Sequence, residues 1–423
     1  QVSPPLKFSI SKSPKPEPAR YPGEDNSLFA TCIPKEPIPL GKMNQHPLEG
    51  IKVVDLTGYI AGAYGTTLLA DLGADVLKIE SFAGDGFRQN GAAFQGWNQG
   101  KRGMILNLKD TKGLDIFHQL VRDADVVAEN YRGGIAANLG VDYKSLRKVN
   151  PKIIYSTVNG YGLTGPFSEY PAFDPLIQAQ GGAMKDQGGS GDPVFLRIAA
   201  SDYSSAILSA YGIVSALYYR SRHNKGQHVE ISLVNAAFAY QAAEYFNYPD
   251  KPAIPRLASV GQSVDYRLYK AEDGWFFLSC KEDIEWNKMC HAVGMFDLAI
   301  HNKESRAENQ DVLNQKLESL FINSPVSVWI DIFRKSGVKC AVNQSLRVIH
   351  DDPQAHSLGL ITENDSYNLG RIKLQGLPFR FSRTPGKLDL AAPDHGEHTD
   401  QVLRELGFLK ENIETLRSKK IVG

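Results

Sequence analysis

Five short segments that are apolar on both faces recur along the first half of this chain, and they constrain its fold more than any other feature. They are IKVVDL (51–56), ADVLKIE (74–80), GMILNL (103–108), DVVAENY (125–131) and KIIYSTVNGYG (152–162). A strand wetted on one side alternates apolar with polar residues, whereas one covered on both sides has no need to. Helical stretches separate the segments: AYGTTLLADLG after the first, and a segment with Leu114, Ile116, Phe117, Leu120 and Val121 at apolar positions after the third. Such alternation predicts an α/β fold, with a Rossmann-like parallel-sheet large domain flanked by helices.

A long helix over about 201–222 leads into the strand HVEISL (228–233) and a further helix from Val234 to about Phe246. After DKPAIPR (250–256) the texture changes. YRLYKAEDGWFFLSC (266–280) reads as two strands around Asp273–Gly274, and helices follow near 284–294, 308–322 and 325–336. These make a smaller α+β domain over 262–340. Strand signals in GRIKLQGLPFRFS and a final pair of helices return the chain to the large domain, which takes 48–250 and 348–423. Residues 1–47, rich in Pro, Lys and Ser without periodicity, read as an extended arm or linker.

Composition removes several function classes. Lys plus Arg and Asp plus Glu are 47 each, which argues against a nucleic-acid partner. Cys32, Cys280, Cys290 and Cys340 are scattered without a C-x-x-C pair, so a reduced, cytoplasmic setting is expected and no metal site. No signal peptide is visible. The nearest apolar run, Ala206–Tyr219, is short and broken by Ser209 and Ser215, so no membrane partner is expected. The loop T-G-Y-I-A-G-A-Y-G after the first strand does not fit G-x-G-x-x-G, and no P-loop G-K-[ST] occurs, which weakens a nucleotide-dehydrogenase or NTPase reading.

Taken in order, several segments resemble the class III CoA-transferases, the formyl-CoA and carnitine CoA-transferase family. PLEGIKVVDLT with LLADLGADVLKIE matches the opening β-α-β unit; NQGKRGMILNL, VVAENYRGG, YSTVNGYGLTGPF, PAFDPLIQAQGG, LRIAASDYSSAILSAYGIVSALYYR and GQHVEISLVNAA follow. DDPQAHSLGL, GLPFRFSRTPG and GEHTDQVLRELGF complete the set, so the resemblance spans about 47–410. It implies a transferase that moves CoA from an acyl-CoA donor to a carboxylic acid acceptor, with no permanently bound cofactor and the CoA thioester as substrate. It also implies an interlocked homodimer.

The same resemblance assigns roles to residues. Read alone, Asp202 in A-A-S-D-Y is either a helix-capping aspartate or a reactive carboxylate. The resemblance makes it the nucleophile, and a helix start favours an ionised carboxylate there. Asp174 in P-A-F-D-P takes the place of a second carboxylate near the acyl group, or simply opens a helix ahead of Pro175. Lys101, Arg102, Asn130 and Arg132 match positions lining the CoA site, although each also reads as an ordinary loop or surface residue. The family's A-G-P is here Ala61–Gly62–Ala63, and Ser81 follows Lys78–Ile79–Glu80; both departures fall in the nucleotide-binding region. A flap over the intermediate corresponds to Ala258–Gln262, or that stretch is an interdomain loop. Tyr161, Phe173, Tyr240, Tyr245, Phe246 and Tyr248 line an acyl pocket or belong to the core.

Two alternative readings compete with this one. An α-methylacyl-CoA racemase needs proton-transfer groups on both faces of its substrate. Glu282 matches one such position, but Phe173 stands where the related racemases have histidine. The other alternative is a non-catalytic subunit of a hetero-oligomeric transferase, which would have no chemical need for Asp202.

Overall fold

A computed structural model describes residues 5–10, 44–189, 191–245, 248–250, 260–366, 369–388 and 390–423. Residues 1–4 and 11–43 of the arm 1–47, Phe246 and residues 258–259 of the expected flap lie outside them.

The apolar segments form the strands Lys52–Asp55 (β2), Asp75–Glu80 (β3), Arg102–Ile105 (β4), Val126–Glu129 (β5) and Ile154–Asn159 (β6). His228–Ser232 (β7) follows the long helix. These six are parallel, in the order β4-β3-β2-β5-β6-β7. A short strand from the N-terminal segment, Lys7–Phe8 (β1), adds antiparallel to β7. The first strand of the wound sheet thus lies at its middle, which is the order of doubly wound nucleotide-binding sheets. Its topological switch falls between β2 and β5, where such folds bind ligands beyond the carboxyl ends of the strands.

Successive residues of each strand bury on opposite faces. Val53, Val76, Val126 and Ile154 join the core beneath the helices Ala63–Asp71 and Ala200–His223. Val54, Leu77, Val127 and Tyr155 join the opposite core, which also holds Ile116 and Phe117 of the helix Thr111–Asp123 and Leu403 and Ile413 of the last two helices. This two-sided burial is why these strands lack polar alternation.

The long helix Ala200–His223 runs antiparallel to the strands. At its far end Arg220 donates to the Asp125 carboxylate (2.6 Å), just ahead of β5. At its start Tyr203 packs edge-on against Tyr64 (5.4 Å), in the helix that follows β2. The first turn of the long helix therefore sits at the carboxyl edge of the sheet. Close approach of the two helices depends on Gly65, where a Cβ would meet the Ala206 carbonyl oxygen at 2.9 Å.

Contacts divide the chain into two compact units. The first comprises Gln1–Gly181, Leu196–Asn247 and His356–Gly423; the second comprises Gly182–Phe195 and Tyr248–Ala355. The second unit carries an antiparallel sheet of Gly261–Ser263 (β8), Tyr266–Lys270 (β9), Trp275–Ser279 (β10) and Lys339–Val342 (β11). Its helices Asp283–Ala292, Gln310–Phe321 and Val326–Lys335 pack around Phe276, Trp286, Phe321 and Phe333. In the first unit GRIKLQ forms a strand, Gly370–Gln375 (β13), paired with the polar Ile361–Ser366 (β12). The helix expected to reach Phe246 ends at Tyr240.

Candidate functional site

The turn after β2, at the switch point, is held from four sides. Asp55 accepts from the Thr57 backbone N–H (2.9 Å) and hydroxyl (2.6 Å). The Lys78 ammonium donates to the Thr57 carbonyl oxygen (2.7 Å) and to Asp85 (3.0 Å). Asn130, just past β5, accepts from the Gly58 N–H and donates to its carbonyl oxygen, both at 2.8 Å. Asp85 accepts from the Tyr59 N–H at 3.5 Å, and Tyr59 adopts φ 60°, a left-handed conformation uncommon for a side-chain-bearing residue. Gly62 is required beside this turn, because a Cβ there would meet Thr57 Cβ at 2.5 Å. Beside Asn130 in the chain, the Glu129 carboxylate accepts from the Tyr131 N–H (2.7 Å) and the Thr157 hydroxyl (2.7 Å). Burial pushes the Glu129 carboxyl up to about 7.

The two predicted acidic residues come together at the carboxyl edge. Asp174 begins the short helix Asp174–Gln180, and its side chain is 4% exposed. One of its oxygens accepts from the Ser201 backbone N–H (2.7 Å), so it caps the long helix, which has no side-chain cap of its own. The other accepts from Gln178, whose amide also donates to the carbonyls of Leu196 (3.2 Å) and Ile198 (3.3 Å). Asp202 lies in the first turn thus fixed. Among the described residues no donor reaches its carboxylate. Burial, and secondarily the Asp174 charge, push the Asp202 carboxyl up to about 7.

Lys101 and Arg102 do not act as a pair. The Lys101 ammonium is fully buried and donates to Asp55 (2.9 Å), the Ala63 carbonyl (2.9 Å), the Trp97 carbonyl (3.2 Å) and Asn98 (2.9 Å), leaving no N–H for a phosphate. Burial alone would raise the Asp55 carboxyl; the Lys101 and Lys78 charges and the Thr57 hydroxyl outweigh it and hold it low. Arg102 points elsewhere, donating to Asp75 (2.7 Å) and Glu405 (2.9 Å). Arg132 is different: it is exposed and makes no ion pair among the described residues.

The two departures lie close to these groups. Ala63 opens the helix after β2 and supplies a carbonyl to Lys101. Ser81 is exposed, and its carbonyl meets the His395 ring at 3.0 Å. Phe173 is exposed at the N-cap ahead of Asp174. Glu282, in the second unit, is exposed ahead of the helix Asp283–Ala292. Of the aromatic group, the Tyr240 hydroxyl lies 3.5 Å from the Ser201 hydroxyl, Phe238 stacks on Tyr245 at 4.1 Å, and Tyr161 lines a cavity of about 220 Å³ with Phe167 and Phe238. Tyr248 belongs to the second unit. Sequence reading missed Asp55, Lys78 and Asp85, whose signal was charge inside or beside otherwise apolar strands, and Trp97, which carried none.

A family model described as CoA-transferase family III matches residues 48–399. The acetyl-CoA:oxalate CoA-transferase of Acetobacter aceti is 32% identical over 79% of this chain and 89% of its own length. The succinate–glutarate CoA-transferase of Agrobacterium fabrum is 31% identical over 85% of this chain and 96% of its own. Among solved structures, a CAIB/BAIF family protein from Brucella suis superposes with a TM-score of 0.79 at 30% identity, covering 86% of this chain and 100% of that one.

Proposed function

This chain belongs to CoA-transferase family III and is a CoA-transferase, and from that premise we propose that Asp202 is the nucleophile that carries CoA, as an aspartyl thioester, between donor and acceptor. The Asp202 carboxylate attacks the donor thioester carbonyl, the C–S bond breaks, and a mixed anhydride forms with release of CoA thiolate. The thiolate attacks the aspartyl carbonyl, freeing the donor acid and leaving an aspartyl-CoA thioester. The acceptor carboxylate then repeats the exchange in reverse, regenerating Asp202. One thioester replaces another, so no further energy source is required. Supporting this reading is a single observation: among the described residues no hydrogen-bond donor reaches the Asp202 carboxylate, in a helix turn that Asp174 already caps.

Hydroxylamine trapping of the acylated enzyme, followed by peptide mapping, tests it. The label is expected on Asp202. The rival carrier is Asp192, which is exposed between Gly191 and Pro193 and so meets a nucleophile's need for access. A label on Asp192 would overturn the assignment. Exchange by the purified single chain would dismiss the non-catalytic-subunit reading. Because the named relatives act on oxalate, succinate and glutarate, those acids head the donor–acceptor matrix.

For the CoA moiety we assign Asn130 to shaping the switch-point turn and Arg132 to a phosphate, with Lys101 and Arg102 supporting the framework. Arg132→Ala is expected to raise the KM for the acyl-CoA about tenfold with kcat within twofold, the signature of lost uniform binding. An unchanged KM would remove Arg132 from the site.

The enzyme is further proposed to act as an interlocked homodimer in the cytoplasm. Ile207, Tyr211, Val214 and Tyr218 form an exposed apolar stripe on the long helix, spaced as one helix face. Light scattering at micromolar concentration should give twice the chain mass; a monomer would contradict it.

A further inference from the structure

A carboxylate that no donor reaches among the described residues must take its direction from the backbone that carries it. On one side of Asp202 that backbone is tied by the Ser201 N–H to Asp174 (2.7 Å). On the other side stands Tyr203, whose hydroxyl accepts from the Trp97 indole N–H at 3.0 Å. The Tyr203 ring is also fixed, edge-on against Tyr64 at 5.4 Å, and the Tyr64 hydroxyl accepts from Gln375 at 2.9 Å.

Trp97 is as firmly placed as a support should be. Its carbonyl accepts from the Thr67 hydroxyl at 2.5 Å and from the buried Lys101 ammonium at 3.2 Å. Its ring packs edge-on against Phe87 at 4.7 Å, and Phe87 against Tyr59 of the switch-point turn at 5.6 Å. Trp97 thus stands between the turn held by Asp55 and Lys78 and the turn that bears Asp202.

We propose that Trp97 is a positioning residue for the transfer reaction: its indole N–H holds the Tyr203 hydroxyl and so sets the direction of the Asp202 carboxylate. The inference rests on Asp202 being the nucleophile of the exchange. A small error in the attack direction of a nucleophile lowers the chemical step while leaving remote binding of CoA intact.

Trp97→Phe keeps a packed ring and deletes the donor; Tyr203→Phe deletes the acceptor. Each is expected to lower kcat about tenfold with the KM for the acyl-CoA within twofold. The double variant should be no slower than either single variant, because both remove the same bond. A purely structural role would instead move kcat and KM together, or give losses that multiply. Wild-type kcat in Trp97→Phe, or multiplying losses in the double variant, with the trapped acyl group still on Asp202, overturns this inference alone. An acyl group trapped on Asp192 in the wild-type enzyme overturns the underlying reading and this inference with it.

Discussion

Asp202→Asn is expected to lower transfer by about four orders of magnitude or more, since the substitution removes the atom that forms the covalent bond. Trapping by hydroxylamine should vanish with it, while the melting transition persists. The pH dependence carries a further signature. With the Asp202 carboxyl pushed up to about 7, first by burial and then by the Asp174 charge, the nucleophilic form is lost as pH falls. The rate should therefore rise with pH through about 7. Asp174→Asn keeps an acceptor for the Ser201 N–H but removes the neighbouring charge. The activity midpoint should move to lower pH and remain above the ordinary carboxyl range, because burial is the larger cause. Stability moves the opposite way. A carboxyl whose folded value lies above its unfolded value of 3.8 costs the fold more as pH rises between the two. Asp202→Asn should then melt above the wild type at pH 8, with the gap closing toward pH 4. A more stable, inactive variant is the usual mark of a strained functional group. Near-normal turnover by Asp202→Asn would end the assignment, and a melting difference independent of pH would end the electrostatic account.

Much of this arrangement was readable in the sequence, for reasons the structure makes physical. The central sheet declared itself because residues such as Val53 and Val54 bury into opposite cores, which forces an unbroken apolar run. Strand β12, ITENDS, gave no such signal because it belongs to an antiparallel hairpin with a largely wet surface. Asp174 and Asp202 are legible only through resemblance to a family, and they meet across an intervening stretch that contains the helices Asp174–Gln180 and Ala183–Gly188, which no local pattern encodes. Resemblance to the family makes Lys101 and Arg102 a pair, and their side chains part company in the fold. Neighbours entering a strand point to opposite faces, so one was carried to Asp55 and the other to Asp75 and Glu405. The bond from Trp97 to Tyr203 joins residues 106 positions apart, and neither side chain announces it locally.

The divided lysine–arginine pair leads to the second large effect, in stability. Lys101→Met leaves the Asp55 carboxylate buried without its closest cation, and strips a donor from the carbonyls of Ala63 and Trp97 and from Asn98. Breaking a buried ion pair by removing one partner costs about 3–5 kcal/mol, whereas removing both charges is often close to neutral. Against a total of roughly 5–15 kcal/mol for a folded domain, the single loss is severe. Denaturant unfolding of Lys101→Met should show it, and Asp55→Asn added to Lys101→Met should recover part of it. Recovery will be incomplete, because an asparagine is a weaker acceptor for the Thr57 N–H and hydroxyl and for the Thr66 hydroxyl, which donates to Asp55 at 2.8 Å. The comparison also separates two roles for a basic residue near a CoA site. A lysine that touched phosphate would, on removal, weaken acyl-CoA binding most at low salt and leave unfolding unchanged. Lys101, with every N–H already committed to protein oxygens, should lose stability first and affect CoA only through the turn at Thr57–Tyr59. Arg132→Ala should do the reverse. If Lys101→Met unfolds within about 1 kcal/mol of the wild type, well short of the buried-pair penalty, the framework role fails and a direct cation at the CoA site becomes the better account.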